Sequence, residues 1–116
     1  MQINVTKKLH DFEGNVIKEG EIEYTIGRVL LVALMASPAP GPDGRPITHK
    51  NEEHVWRFEL GAEISNAMRN NAAGLEDEAD ASVEISSSQA TKLQEDVSRL
   101  FGTIIAGQVG PMLNGR

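Results

Sequence analysis

Thr25-Ile26-Gly27-Arg28-Val29-Leu30-Leu31-Val32-Ala33-Leu34-Met35-Ala36 is the stretch that decides the fold. Thr25 can accept the first free amide of a helix, and Ile26 to Ala36 then runs apolar on nearly every side, broken only by Gly27 and Arg28. A helix without a polar stripe is buried on most sides. It is also far shorter than the roughly 20 apolar residues of a membrane span. The expectation is a central core helix with Leu30 and Leu34 inside, and the rest of the chain must cover it.

Working back from Thr25, residues 2–24 read as a β-ribbon. Ile3, Val5 and Leu9 fall on one side of an extended chain, and Asp11-Phe12-Glu13-Gly14-Asn15 reads as a turn. Val16-Ile17-Lys18 returns, Glu19-Gly20 offers a second turn, and Glu21-Ile22-Glu23-Tyr24 alternates again. So small a ribbon is marginal in water and has to lie on a helical body.

Working forward, residues 37–47 hold four of the five prolines with Gly41 and Gly44, which excludes helix and central strand. A second helix is expected over 51–70. Trp56, Leu60, Ile64 and Met68 recur every four residues, and Glu53 precedes Arg57 in the favourable i, i+4 order. Asn70, Asn71 and Gly74 end it. Residues 75–84 form an acidic loop with Glu76, Asp77, Glu78, Asp80 and Glu84 and no base, −5 of the chain's net −6. Within it, Val83 and Ile85 alternate as in a short strand. Ser86 and Gln89 fit a capping box that opens a third helix, expected over 87–113 with an interruption at Gly102. Its apolar stripe is Leu93, Val97, Leu100 and Phe101, and Lys92–Asp96 and Glu95–Arg99 are read as outer-face pairs. Pro111 is expected to break or kink the end. The whole is a single α+β domain over 1–116, mostly helical, with an N-terminal β-hairpin packed on a bundle of three to four helices.

Composition narrows the function. The chain has 116 residues, 40% hydrophobic and 24% charged, enough for one core. Aromatics make up 4% and the balance is acidic, so neither a stacking surface nor a basic footprint for nucleic acid is present. Without cysteine there is no disulfide, thiolate nucleophile or Cys-based zinc site. Met1-Gln2-Ile3-Asn4-Val5 lacks a signal-peptide pattern.

Chemistry-bearing constellations are sparse. His49 and His54 are five apart, not the i, i+4 of two ligands on one helix face, and Glu52 and Glu53 are explained by a helix start. The acidic loop lacks the central glycine of a calcium loop. Ser86-Ser87-Ser88 is explained by capping, and no nucleophile elbow or phosphate-binding glycine motif occurs. No catalytic residue, metal or cofactor is therefore expected. Trp56 is either an interface anchor or, given its place in the Leu60–Ile64–Met68 stripe, core.

Two surfaces are candidates for partners. Gly102, Ala106 and Gly110 recur every four residues and would let another backbone approach, with Ile105, Val109, Met112 and Leu113 beside them. This face reads either as packing within the domain or as a contact with another protein or a second copy, and self-association is the expectation carried forward. The acidic residues Glu76, Asp77, Glu78, Asp80 and Glu84 could compete for a basic groove, the alternative in which the protein is an acidic, DNA-mimicking inhibitor of a host enzyme.

The order of motifs resembles a family. A polar β-ribbon is followed by T-x-G-x-V at Thr25, Gly27 and Val29, then W-R-F-E-L at Trp56-Arg57-Phe58-Glu59-Leu60. V-E-I-S at Val83-Glu84-Ile85-Ser86 and A-G-Q at Ala106-Gly107-Gln108 complete the series. Over nearly its full length the chain resembles small proteins encoded in tailed-phage and prophage genomes, with the Pro-rich linker and the acidic loop as insertions relative to shorter members. The resemblance brings no activity and no active-site residue. With that setting, the absence of chemical motifs and the apolar C-terminal face lead to the expectation of a non-enzymatic phage protein that works by protein–protein binding as an assembly or virion-associated accessory factor. Its partner would be a phage structural protein or a host enzyme, met in the cytoplasm of the infected bacterium or in the virion. Direct nucleic-acid binding and a membrane partner are not expected.

Overall fold

A computed structural model describes residues 2–36, 42–45, 49–72 and 81–113. The elements run β1 (Gln2–Asn4), β2 (Lys18–Glu19), β3 (Ile22–Glu23), α1 (Ile26–Met35), α2 (Asn51–Ala72), β4 (Ser82–Glu84), α3 (Ser87–Leu100) and α4 (Thr103–Leu113). The class is α+β and mostly helical, with a small N-terminal hairpin on a four-helix body. Among the described residues no helix is long and apolar enough to cross a membrane.

α1 is the centre. The Thr25 side chain accepts the Arg28 amide at 3.2 Å and starts the helix. Ile26, Val29, Leu30, Ala33 and Leu34 are buried against Leu60 and Ile64 of α2 and Leu93 and Val97 of α3. Burial is not complete around the axis: Leu31 and Val32 are half-buried and Met35 is 79% exposed. Gly27 is where α1 touches its surroundings most closely. Its amide donates to the Val5 carbonyl at 2.8 Å, and a Cβ there would sit 2.7 Å from both that oxygen and the Met68 sulfur.

The ribbon is made as its turns require. Asp11 Oδ1 accepts the amides of Glu13 and Asn15, and Gly14 (φ +87°) takes the left-handed position. Gly20 (φ +65°) joins β2 to β3. The Lys8 ammonium lies 2.9 Å from Glu23 and holds that exposed carboxyl below its ordinary pKa, by hydrogen bond first and charge second. The Tyr24 hydroxyl donates to Glu19 at 2.7 Å, which raises the phenol's pKa because the bond and the carboxylate's charge both favour the protonated form.

Two expectations change. β1 does not belong to the ribbon: it pairs antiparallel with β4, Ile3 opposite Val83, and Val5 extends the pairing by donating to Ala81. Residues 81–84 are therefore not part of a solvated loop: Ala81 and Val83 are buried, and Val83 is paired in β4. The interruption expected at Gly102 divides residues 87–113 into α3 and α4. Phe101 is extended (φ −121°, ψ 153°), its amide still bonded to Val97, and α4 starts afresh at Thr103 and runs through Pro111 to Leu113. Of the Pro-rich segment only 42–45 is described, a turn with Gly44 at φ +76° and an Arg45–Asp43 ion pair at 3.3 Å.

Candidate functional site

α1 and α2 pack side by side, with the Leu31 and Leu34 methyls 3.8 and 3.9 Å from where a Cβ on Gly61 would stand, an ordinary contact distance. A groove of about 760 Å³ lies between α1 and α2. Leu31, Leu34, Gly61 and Ala62 line it together with Met35 and Phe58. Met35 and Phe58 are 79% and 78% exposed, which is unusual for two large apolar side chains lining one groove. His49, His54, Arg57, Ser65 and Arg69 supply the polar lining. No acidic residue lines it among the described residues.

Each polar group has a defined setting. His49 Nε2–H donates to the Ala36 carbonyl at 2.9 Å and so covers the free carbonyl just past α1. The His49 and His54 rings meet edge to face with centroids 5.7 Å apart. Arg69 donates to the neutral Asn66 side chain. Arg57 is only 6% exposed and already committed. Its Nε meets Glu53 at 3.1 Å, one terminal nitrogen meets the Ala33 carbonyl at 3.2 Å, and the other meets Asp96 at 2.9 Å. Lys92 closes on the other Glu53 oxygen and Arg99 on the other Asp96 oxygen. Trp56 packs partly buried on the core, with the Arg57 and Lys92 cations 4.9 and 5.9 Å from its ring centre. This cluster spans α1, α2 and α3. Glu53–Arg57 is the pair expected from spacing, but Lys92–Asp96 is not formed as an outer-face pair: Asp96 turns inward to Arg57 and Lys92 reaches Glu53.

The C-terminal face sits differently from its reading as a contact surface. Val109, Gly110 and Leu113 are buried in the domain's own core, and Ile105, Ala106 and Met112 are half-buried against it. Gly102 is exposed, lies outside α4, and has nothing near its missing side chain. The closest atom to a Cβ on Gly110 is the Gln94 amide nitrogen at 3.8 Å, ordinary contact rather than backbone approach. The break at Phe101–Gly102 folds α4 back onto α3, so its apolar side is used within the chain. The glycine that does permit a close approach is Gly27. Its signal in the sequence was a glycine directly inside the start of an otherwise apolar helix.

Of the acidic residues, Glu84 lies exposed on β4 opposite Gln2. Glu76, Asp77, Glu78 and Asp80 lie outside the described residues. Among the described residues no group of three histidines or acids is placed to hold a metal ion. The sequence reading missed the groove. Met35 reads as one more apolar residue of α1, and Phe58 lies off the Trp56–Leu60–Ile64–Met68 stripe; the structure leaves both uncovered on one groove. No protein-family model, curated protein or solved structure matches the chain.

Proposed function

We propose that the protein acts without catalysis, by binding another protein through the α1–α2 groove, as an assembly or virion-associated accessory factor of a tailed phage or prophage. The observation that carries the binding reading is the pair Met35 and Phe58, both more than three-quarters exposed and lining the same groove as Leu31, Leu34 and Ala62. Exposing two such side chains together costs solvation that covering them would recover, at roughly 25 cal/mol per Å² of apolar surface. The phage setting is supported by the resemblance alone. Several of its motif residues have defined structural duties: Thr25 starts α1, Gly27 admits Val5 and Met68, Ser86 caps α3 and Gln108 holds the ribbon.

Photo-cross-linking in the cell tests the role. A photoreactive amino acid replaces Phe58 in one variant and exposed Ser98, on α3, in another. The expected result is a discrete adduct with one other polypeptide from position 58 and none from position 98. Equal adduct patterns from the two positions, or none from either, overturn the reading.

A further inference from the structure

Resting on that docking role, we propose that the groove takes an acidic amphipathic helical segment of its partner, with apolar side chains over Phe58 and Met35 and carboxylates near Arg69 and His54. Three observations converge on this occupant.

The first is length. His54, Phe58, Gly61, Ser65 and Arg69 line the groove from one face of α2. From His54 to Arg69 is fifteen residues, about 22 Å at the helical rise of 1.5 Å per residue. A trough of that length fits four turns of a helix, with anchors recurring every three or four residues.

The second is the order of chemistry along the trough. Its middle is apolar or small, at Phe58, Gly61 and Ala62, and its two ends carry the nitrogen-bearing side chains His54 and Arg69. A segment with apolar residues in the centre and acids at both ends matches it position for position.

The third is charge. The chain carries net −6, yet no acid lines the groove among the described residues. Arg57 is neutralised by Glu53 and Asp96, whereas Arg69 bonds only the uncharged Asn66 among the interactions seen and is exposed to a newcomer. The Ala36 carbonyl, which would repel a carboxylate, is covered by His49. Among the described residues the groove is thus lined without acids in an acidic protein, and a basic segment would find no counter-charge among them.

Selection from a displayed library of random peptides of about 16 residues, near the groove's length in helical form, tests the assignment. The library is panned on the whole protein, with Phe58→Asp as the counter-selection target and Arg69→Glu as a second bait. Both substitutions are at exposed positions, and thermal unfolding checks that each variant is folded. The expected winners repeat apolar residues at i, i+3 or i+4, carry Asp or Glu near both ends, and are lost on Phe58→Asp. As synthetic peptides they bind Arg69→Glu roughly tenfold more weakly, with the deficit shrinking in high salt. Winners lost on Phe58→Asp but rich in Lys or Arg overturn the acidic occupant and leave the docking role standing. Acidic winners that bind wild type and Arg69→Glu equally also overturn it. No sequence enriched above Phe58→Asp overturns both. A wild type that dimerises in sedimentation while Phe58→Asp stays monomeric assigns the groove to a second copy instead.

Discussion

Single side chains carry two of the sharpest consequences of this structure. Gly27 has Val5 and Met68 pressed against the place where a Cβ would stand. One of those neighbours is a backbone oxygen that cannot rotate away, so Gly27→Ala forces α1 away from Val5. The expected loss is about 1–3 kcal/mol in urea denaturation, as for other overpacked sites. An unchanged midpoint would mean that α1 can shift at no cost. The one tyrosine gives a clean titration. Tyr24 donates to Glu19, and its raised pKa means that the folded state holds the phenol proton more tightly than the unfolded chain. The resulting contribution to stability is present below the ordinary tyrosine value of 10.0 and is lost as pH rises through the folded one. In Glu19→Gln, spectrophotometric titration is expected to show the Tyr24 midpoint moved down toward that ordinary value. No movement would detach the shift from Glu19.

Between elements, one side-chain amide links the ribbon to α4. Gln108 of α4 donates to the His10 carbonyl at 2.6 Å and accepts the His10 amide at 3.0 Å, while also reaching the Ile104 carbonyl of its own helix at 2.8 Å. It pairs with the strand as a neighbouring strand would. Gln108→Leu removes both bonds without removing bulk. The expected outcome is faster amide exchange at His10 and its ribbon neighbours, with protection in α1 and α3 unchanged, because local opening is read separately from global unfolding. Uniformly faster exchange would instead show that the ribbon and the bundle form one cooperative unit. Helix starts, by contrast, could be read in advance. Ser86 and Gln89 form the capping box that their three-residue spacing announces, and Thr25 caps α1.

At the scale of the molecule, three helices meet at Arg57. Its guanidinium spans Glu53 on its own helix, the Ala33 carbonyl on α1 and Asp96 on α3. Arg57→Met leaves Asp96 buried with Arg99 alone, and the expected loss is about 3 kcal/mol, the low end for breaking a buried pair. The double change Arg57→Met with Asp96→Leu is expected to recover most of that loss, since it removes the stranded charge as well as its partner. A double variant less stable than the single one would show that the cluster itself holds the helices together.

The sequence by itself determined what acts over a turn or two of chain. The left-handed turns at Gly14 and Gly20, the caps at Thr25 and Ser86, and the apolar stripe of Leu60 and Ile64 all rest on residues a few positions apart. Their energies need no knowledge of the rest of the fold. Tertiary structure alone decided the pairing of Ile3 with Val83, the inward turn of Asp96 to Arg57, and the burial of Val109 and Leu113. It also decided that Met35 and Phe58 are left uncovered. The physical reason is one of magnitude. A surface ion pair on a helix is worth a few tenths of a kcal/mol, whereas burying one large apolar side chain is worth about 1.5–3 kcal/mol. Packing therefore sets how each helix is rotated about its axis. That rotation, which no local spacing encodes, selects the partner each charge meets and the apolar faces that remain open.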